Sequence, residues 1–99
     1  MKRFFYTPDA AQDLADIGGH IARSSPSAAK KVIKEIRAAV RKLASQPGLG
    51  HLRPDLTPLQ LRFWSVYSYL IIYDCERKPI EIIRVLHGAR DVAEILREN

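Results

Sequence analysis

The sequence predicts a single α+β domain over residues 1–99: an N-terminal strand and a helical hairpin packed as two layers on a mainly antiparallel sheet, then a short C-terminal helix. Three observations predict it. Two apolar stripes at helical spacing fill residues 8–45, each opened by a hydroxyl residue and a proline. Three runs of strand character follow between residues 60 and 87, and 99 residues allow one hydrophobic core with little left for a second.

Lys2 to Tyr6 is a short basic and aromatic run that suits a strand. Thr7-Pro8-Asp9 then has the order of a helix start: a capping hydroxyl, a proline at the first helical position, and an acid near the positive end of the helix dipole. Ala10, Leu14, Ile17 and Ile21 keep the helical period, with Asp13, Asp16 and His20 elsewhere on the turn. Ser24-Ser25-Pro26 repeats the start signal. Ala29, Val32 or Ile33, Ile36, Val40 and Leu43 continue the stripe until Gln46-Pro47-Gly48 ends it. The few residues between the helices imply an antiparallel hairpin. Lys30, Lys31, Lys34, Arg37, Arg41 and Lys42 fill the remaining surface of the second helix.

Pro47 to Pro58 carries three prolines, two glycines, His51, Arg53 and Asp55, and reads as a loop. Strands are expected at Gln60–Ser65, Tyr67–Asp74 and Ile80–His87, joined by Ser65-Val66 and by Glu76-Arg77-Lys78-Pro79 into an antiparallel meander. Residues Arg90–Arg97 read as the closing helix, with Val92, Ile95 and Leu96 as its apolar side. The helical hairpin covers one face of the sheet. The opposite face is expected to carry no helix of this chain, and to be either wet or covered by another protein.

Composition narrows the function classes. No segment approaches the roughly 18 uninterrupted apolar residues of a membrane span, and the basic start runs directly into Thr7-Pro8-Asp9 without a secretory stretch. A soluble, cytoplasmic protein is expected. The lone Cys75 and three separated histidines form no disulfide and lack metal-ligand spacing, so no metal and no cofactor are expected. The net charge of +5 favours an anionic partner, either nucleic acid or an acidic protein.

Residues 80–91 are the most informative stretch. Strict alternation places Ile80, Ile82, Arg84 and Leu86 on one face and Glu81, Ile83, Val85 and His87 on the other, so an arginine sits within an interior strand. A buried unpaired charge costs several kcal/mol, on the order of the whole domain's margin. Arg84 therefore requires a partner.

Taken in order, these pieces resemble the ParE/RelE toxin superfamily of type II toxin–antitoxin systems over nearly the whole chain. The matching residues are Pro8-Asp9-Ala10 with Asp13-Leu14 and Ile17, Ser25-Pro26-Ser27-Ala28-Ala29, Leu43, Pro47-Gly48 and Gly50, and Arg62. Tyr69-Leu70-Ile71-Ile72-Tyr73 and the run from Ile82 to Asp91 complete the set. The resemblance implies a RelE/ParE-like fold and a small bacterial toxin, of the kind tied to plasmid stabilization, in a hetero-oligomer with an acidic antitoxin encoded beside it.

RelE-like members of the superfamily cut mRNA on the ribosome without a metal, which needs a base, an acid and cations around the phosphate. If the chain were such an endoribonuclease, Arg62, Arg84 and His87 would be its catalytic residues. The set is incomplete: no tyrosine follows Tyr73, and the mid-chain loop offers only His51 and Arg53. Arg84-Val85-Leu86-His87-Gly88-Ala89-Arg90-Asp91 looks instead like the ParE branch, whose members are described as poisoning DNA gyrase. That branch implies an inhibitor rather than an enzyme, with Arg53, Arg62, Arg84, His87 and Arg90 as candidates for target contact. Trp64, Tyr67, Tyr69 and Tyr73 are the candidates for antitoxin contact. The same fold without toxicity would be a partner-binding module.

Overall fold

A computed structural model describes residues 3–98, so the expected strand residue Lys2 lies outside the described residues. Strand β1 (Phe4–Tyr6) leads into helices α1 (Pro8–Ala22) and α2 (Pro26–Ser45) and a 3-10 turn at Pro47–Leu49. Strands β2 (His51–Leu52), β3 (Arg62–Val66), β4 (Tyr69–Asp74) and β5 (Ile80–His87) follow, then helix α3 (Val92–Arg97). Both helix starts lie where the caps place them. Thr7 Oγ1 accepts from the Ala10 amide at 3.0 Å, and Ser25 Oγ accepts from the Ala28 amide at 3.2 Å. The Thr7 hydroxyl also donates to the Ile83 carbonyl at 2.8 Å, pinning the start of α1 to β5.

The five strands lie in the order β1-β5-β4-β3-β2. Pairing is antiparallel except for β1, which runs parallel to β5 through Phe4–Ile80, Phe5–Glu81 and Tyr6–Ile82. The loop expected from Pro47 to Pro58 is more structured than its prolines suggest. His51 and Leu52 form a short edge strand against Phe63 and Arg62. The β3–β4 turn falls at Tyr67-Ser68 rather than Ser65-Val66, because Val66 pairs with Tyr69. Tyr67 takes a φ of 54°, a left-handed conformation that an L-residue with a side chain adopts only at an energetic cost.

Two clusters make the core. Ala10, Leu14 and Ile17 of α1 and Ile36, Val40 and Leu43 of α2 pack on Ile71, Tyr73, Ile80, Ile82 and Val85. On the other face, Val92 and Leu96 of α3 pack with Leu61, Phe63, Ile72 and Leu86. That second cluster corrects the expectation of a sheet face without a helix from this chain. Asp91 caps α3 by accepting from the Glu94 amide at 3.2 Å, and Val92 and Leu96, four residues apart, then face the sheet together. Six residues are too few to hold a helix alone, and burying these two side chains supplies roughly 3–6 kcal/mol as an upper estimate.

Alternation along β5 also breaks. Tyr73 pairs with Ile82 but Ile72 pairs with Arg84, so Ile83 is an extra residue in a β-bulge. Val85 thereby joins Ile80 and Ile82 under the helical hairpin, while Leu86 moves to the α3 side. Arg84, beside the bulge, reaches Asp13 of α1.

Candidate functional site

A carboxylate of α1 explains how an arginine is tolerated inside this sheet. Arg84 Nε donates to Asp13 Oδ2 at 2.7 Å and Arg84 Nη2 to Asp13 Oδ1 at 2.9 Å, a two-pronged contact from β5 to α1. The Val85 amide adds a third bond to Asp13 Oδ2 at 3.0 Å. Strand β1 ends opposite Ile82, and the Asp13 carboxylate takes an amide of β5 beyond that end. Hydrogen bonding to Asp13 raises the Arg84 pKa above the ordinary arginine value, against the opposing effect of burial. Arg84 is thus a linchpin between helix and sheet. Asp13 stands three residues after Ala10 and four before Ile17, within the apolar stripe, and that spacing was the signal for the buried partner.

Beyond this pair the sheet opens into a groove of about 270 Å³ lined by Asp16, His20, Tyr69, His87 and Arg90 among others. His87 is exposed at the end of β5, with its ring edge-on to Tyr69 at 5.3 Å between centroids. Its Nδ1 accepts from the Ala89 amide at 3.0 Å, so the ring proton of the neutral form is on Nε2. Arg90 is exposed at the mouth of the groove.

The remaining candidates fall elsewhere. Tyr73 is fully enclosed, its hydroxyl donating to the Pro47 carbonyl at 2.6 Å and accepting from the Gly50 amide at 2.8 Å. Arg62 Nη1 donates to the Gly50 carbonyl at 2.7 Å, so both side chains hold the α2–β2 connection in place. Burial pushes the Tyr73 pKa up although the Gly50 hydrogen bond opposes it. Arg53 is engaged by Asp55 through two bonds of 2.9 and 2.8 Å. With His51 and Trp64 it lines a groove of about 260 Å³ at the β2–β3 edge. Trp64 lies beneath Lys42, whose Nζ is 5.6 Å from the ring centroid. Tyr67 is exposed at the hairpin tip, where hydrogen bonding to Glu35 raises the phenol pKa.

Arg62, Arg84 and His87 do not converge. Arg62 sits opposite Tyr73 and His87 opposite Tyr69, rows four residues apart on β4 and roughly 13 Å along the strand. Arg84 turns toward Asp13 between them.

A further surface was only partly visible in the sequence. Lys30, Lys34, Arg37 and Arg41 rim a groove of about 410 Å³ along α2 whose floor includes Ala29 and Ile33. No ion pair ties these four cations down among the described residues. The buried Tyr6 hydroxyl, beside Arg37 and Arg41, has no hydrogen-bond partner among the described residues. Burial raises its pKa, and the two arginines oppose the shift.

The profile of the family described as "ParE toxin of type II toxin-antitoxin system, parDE" matches residues 4–92. The chain belongs to the ParE toxin family. Y4kP of Sinorhizobium fredii (strain NBRC 101917 / NGR234) is 30% identical over 95 residues, covering 96% of this chain and 97% of that protein. A solved structure titled "Chromosomal ParDE TA system from P. aeruginosa" matches with a TM-score of 0.71 at 25% identity, covering 85% of this chain and 92% of its own. The matched span of this ParE-family chain takes in the Asp13–Arg84 pair, the His87–Arg90 groove and the cation-rimmed groove of α2. No helix among the described residues is long and apolar enough to cross a membrane.

Proposed function

We propose that this ParE-family toxin acts in the cytoplasm by binding and inhibiting DNA gyrase, with no catalytic step of its own, and that a cognate antitoxin neutralises it. The observation that carries the reading is the dispersal of Arg62, Arg84 and His87. Metal-free RNA cleavage needs acid, base and cation around one phosphate, whereas Arg84 is committed to Asp13 and Arg62 to the Gly50 carbonyl. His87 and Arg90 are the remaining exposed pair, and they share one groove with Tyr69. A binding surface needs only that.

The antitoxin is assigned to the groove of α2. Its apolar floor and four cations complement an amphipathic acidic segment, with apolar anchors inward and carboxylates along the rim. Trp64 and Lys42 lie on the other flank of α2, outside that groove. The test adds purified protein to gyrase with relaxed plasmid. Loss of supercoiling and accumulation of cleavage complexes, both reversed by the protein encoded beside the toxin, are expected. Unchanged supercoiling at generous excess refutes the gyrase reading, and mRNA cut in the ribosomal A site would replace it with an endoribonuclease.

A further inference from the structure

The β3–β4 hairpin turns through two residues, Tyr67 and Ser68, between the paired Val66 and Tyr69. Of the two, only Tyr67 has a positive φ, the pattern of a turn whose first central position favours glycine. The fold gains little from a tyrosine there. The residue is 56% exposed, and the charged group that bears on its phenol among the described residues is Glu35, itself exposed on α2. A large aromatic in a strained turn, held outward with most of its ring in water, calls for a reason outside the fold.

The turn does not stand alone. The Gly88 amide donates to the Ser68 carbonyl at 2.8 Å, clamping the hairpin tip to the segment that carries His87 and Arg90. A Cβ at Gly88 would lie 3.4 Å from that carbonyl oxygen, so the two turns fit closely. Tyr69, next to Ser68, contacts the His87 ring. Tyr67, His87 and Arg90 therefore lie at one end of the sheet, on backbone segments joined by that bond. At about 100° per residue, Glu35 and Lys42 occupy the flank of α2 turned away from Lys34, Arg37 and Arg41. Trp64, three residues before Tyr67, lies under Lys42 on that flank, and Tyr67 does not line the groove assigned to the antitoxin.

We propose that Tyr67 is a recognition residue for the toxin's protein target: a pre-positioned ring that enters an apolar pocket while Arg90 meets a carboxylate beside it. Rigid aromatic anchors of this kind dominate the energetics of protein interfaces. The inference rests on the reading of the toxin as a binder and moves Tyr67 from the antitoxin side to the target side.

The test compares wild type, Tyr67→Gly and Glu35→Ala at matched expression. Thermal midpoint, growth arrest and half-inhibition of gyrase supercoiling are read for each. Tyr67→Gly should melt no lower than wild type, fail to arrest growth, need at least tenfold more protein against gyrase, and keep its antitoxin. Glu35→Ala should arrest growth as wild type does. Full toxicity of Tyr67→Gly, a clearly lower midpoint, loss of the antitoxin with toxicity intact, or an equal loss in Glu35→Ala overturns the proposal. Wild-type arrest with unaffected gyrase removes the gyrase reading alone, and the growth comparison still decides on Tyr67. A wild type without effect on growth overturns both.

Discussion

Asp13→Ala is predicted to be among the most damaging single substitutions that leave the apolar core intact. It strips Arg84 of both its bonds, at 2.7 and 2.9 Å, and leaves the buried Val85 amide without the acceptor now 3.0 Å away. Removing one partner of a buried ion pair costs about 3–5 kcal/mol, and an orphaned amide about 1–3 kcal/mol, terms that partly overlap. The Arg84 side chain keeps 14% of its surface, so some rehydration tempers the sum, and about 3–5 kcal/mol in total is expected. A domain of this size has about 5–15 kcal/mol to lose, and each kcal/mol shifts its midpoint by roughly 4–8 °C. A fall of roughly 12–40 °C should follow. Because the Arg84 pKa is raised in the folded state, the arginine's contribution is not lost as pH rises through the neutral range toward the ordinary arginine value. The deficit should therefore look the same at pH 6 and pH 9. Urea unfolding followed by circular dichroism measures it, and Asp13→Leu, Arg84→Met and their double variant complete a double-mutant cycle with wild type. The paired replacement should recover at least ~1.5 kcal/mol relative to the sum of the singles. Asp13→Ala within ~0.5 kcal/mol of wild type, or strict additivity in the double variant, would refute the linchpin role.

Three further outcomes are expected. In Gly50→Ala the new Cβ would lie 2.6 Å from the Tyr73 hydroxyl and 3.0 Å from the Phe63 carbonyl, so the α2–β2 connection must shift, and hydrogen exchange at residues 47–52 should accelerate. Tyr73 has a raised pKa in the folded state, so the folded protein binds more protons than the unfolded chain above pH 10.0; stability should decline as pH rises past that value. Tyr73→Phe should flatten its share of that decline while costing about 1–3 kcal/mol at neutral pH, read by denaturant titration at both pH values. Arg37→Glu/Arg41→Glu, which inverts the rim of the α2 groove, should abolish co-purification with the antitoxin while leaving the melting temperature within a few degrees, because neither arginine forms an ion pair among the described residues.

Local chemistry was legible wherever it was decided locally. Thr7-Pro8 and Ser25-Pro26 announced both helix starts because a cap acts within three residues. Ile80–His87 was readable as an interior strand for the same reason. What escaped depends on partners distant in sequence. The bulge at Ile83 and the pairing of Arg84 with Asp13, 71 residues away, are encoded by no alternation pattern. Strand β2 exists because Arg62 and Tyr73 fix Gly50, not because His51-Leu52 has strong strand character. The cover supplied by α3 depends on the Gly88–Arg90 turn, whose direction is set by the Ser68 contact. Among the site residues, the sequence identified His87 and Arg90 as candidates, and they share a groove. It also identified Arg84, and required a partner for it, without identifying Asp13.

The central claim is that this ParE-family chain acts through a surface on gyrase and not through cleavage of RNA. One preparation should be divided between gyrase with relaxed plasmid and translating ribosomes with a labelled mRNA, and Arg90→Ala, which disturbs no bond of the core, run beside wild type in both. Supercoiling blocked by wild type, restored activity with Arg90→Ala at an unchanged melting temperature, and intact mRNA throughout are expected. Supercoiling that proceeds unhindered while the mRNA is cut at the A site would contradict the claim.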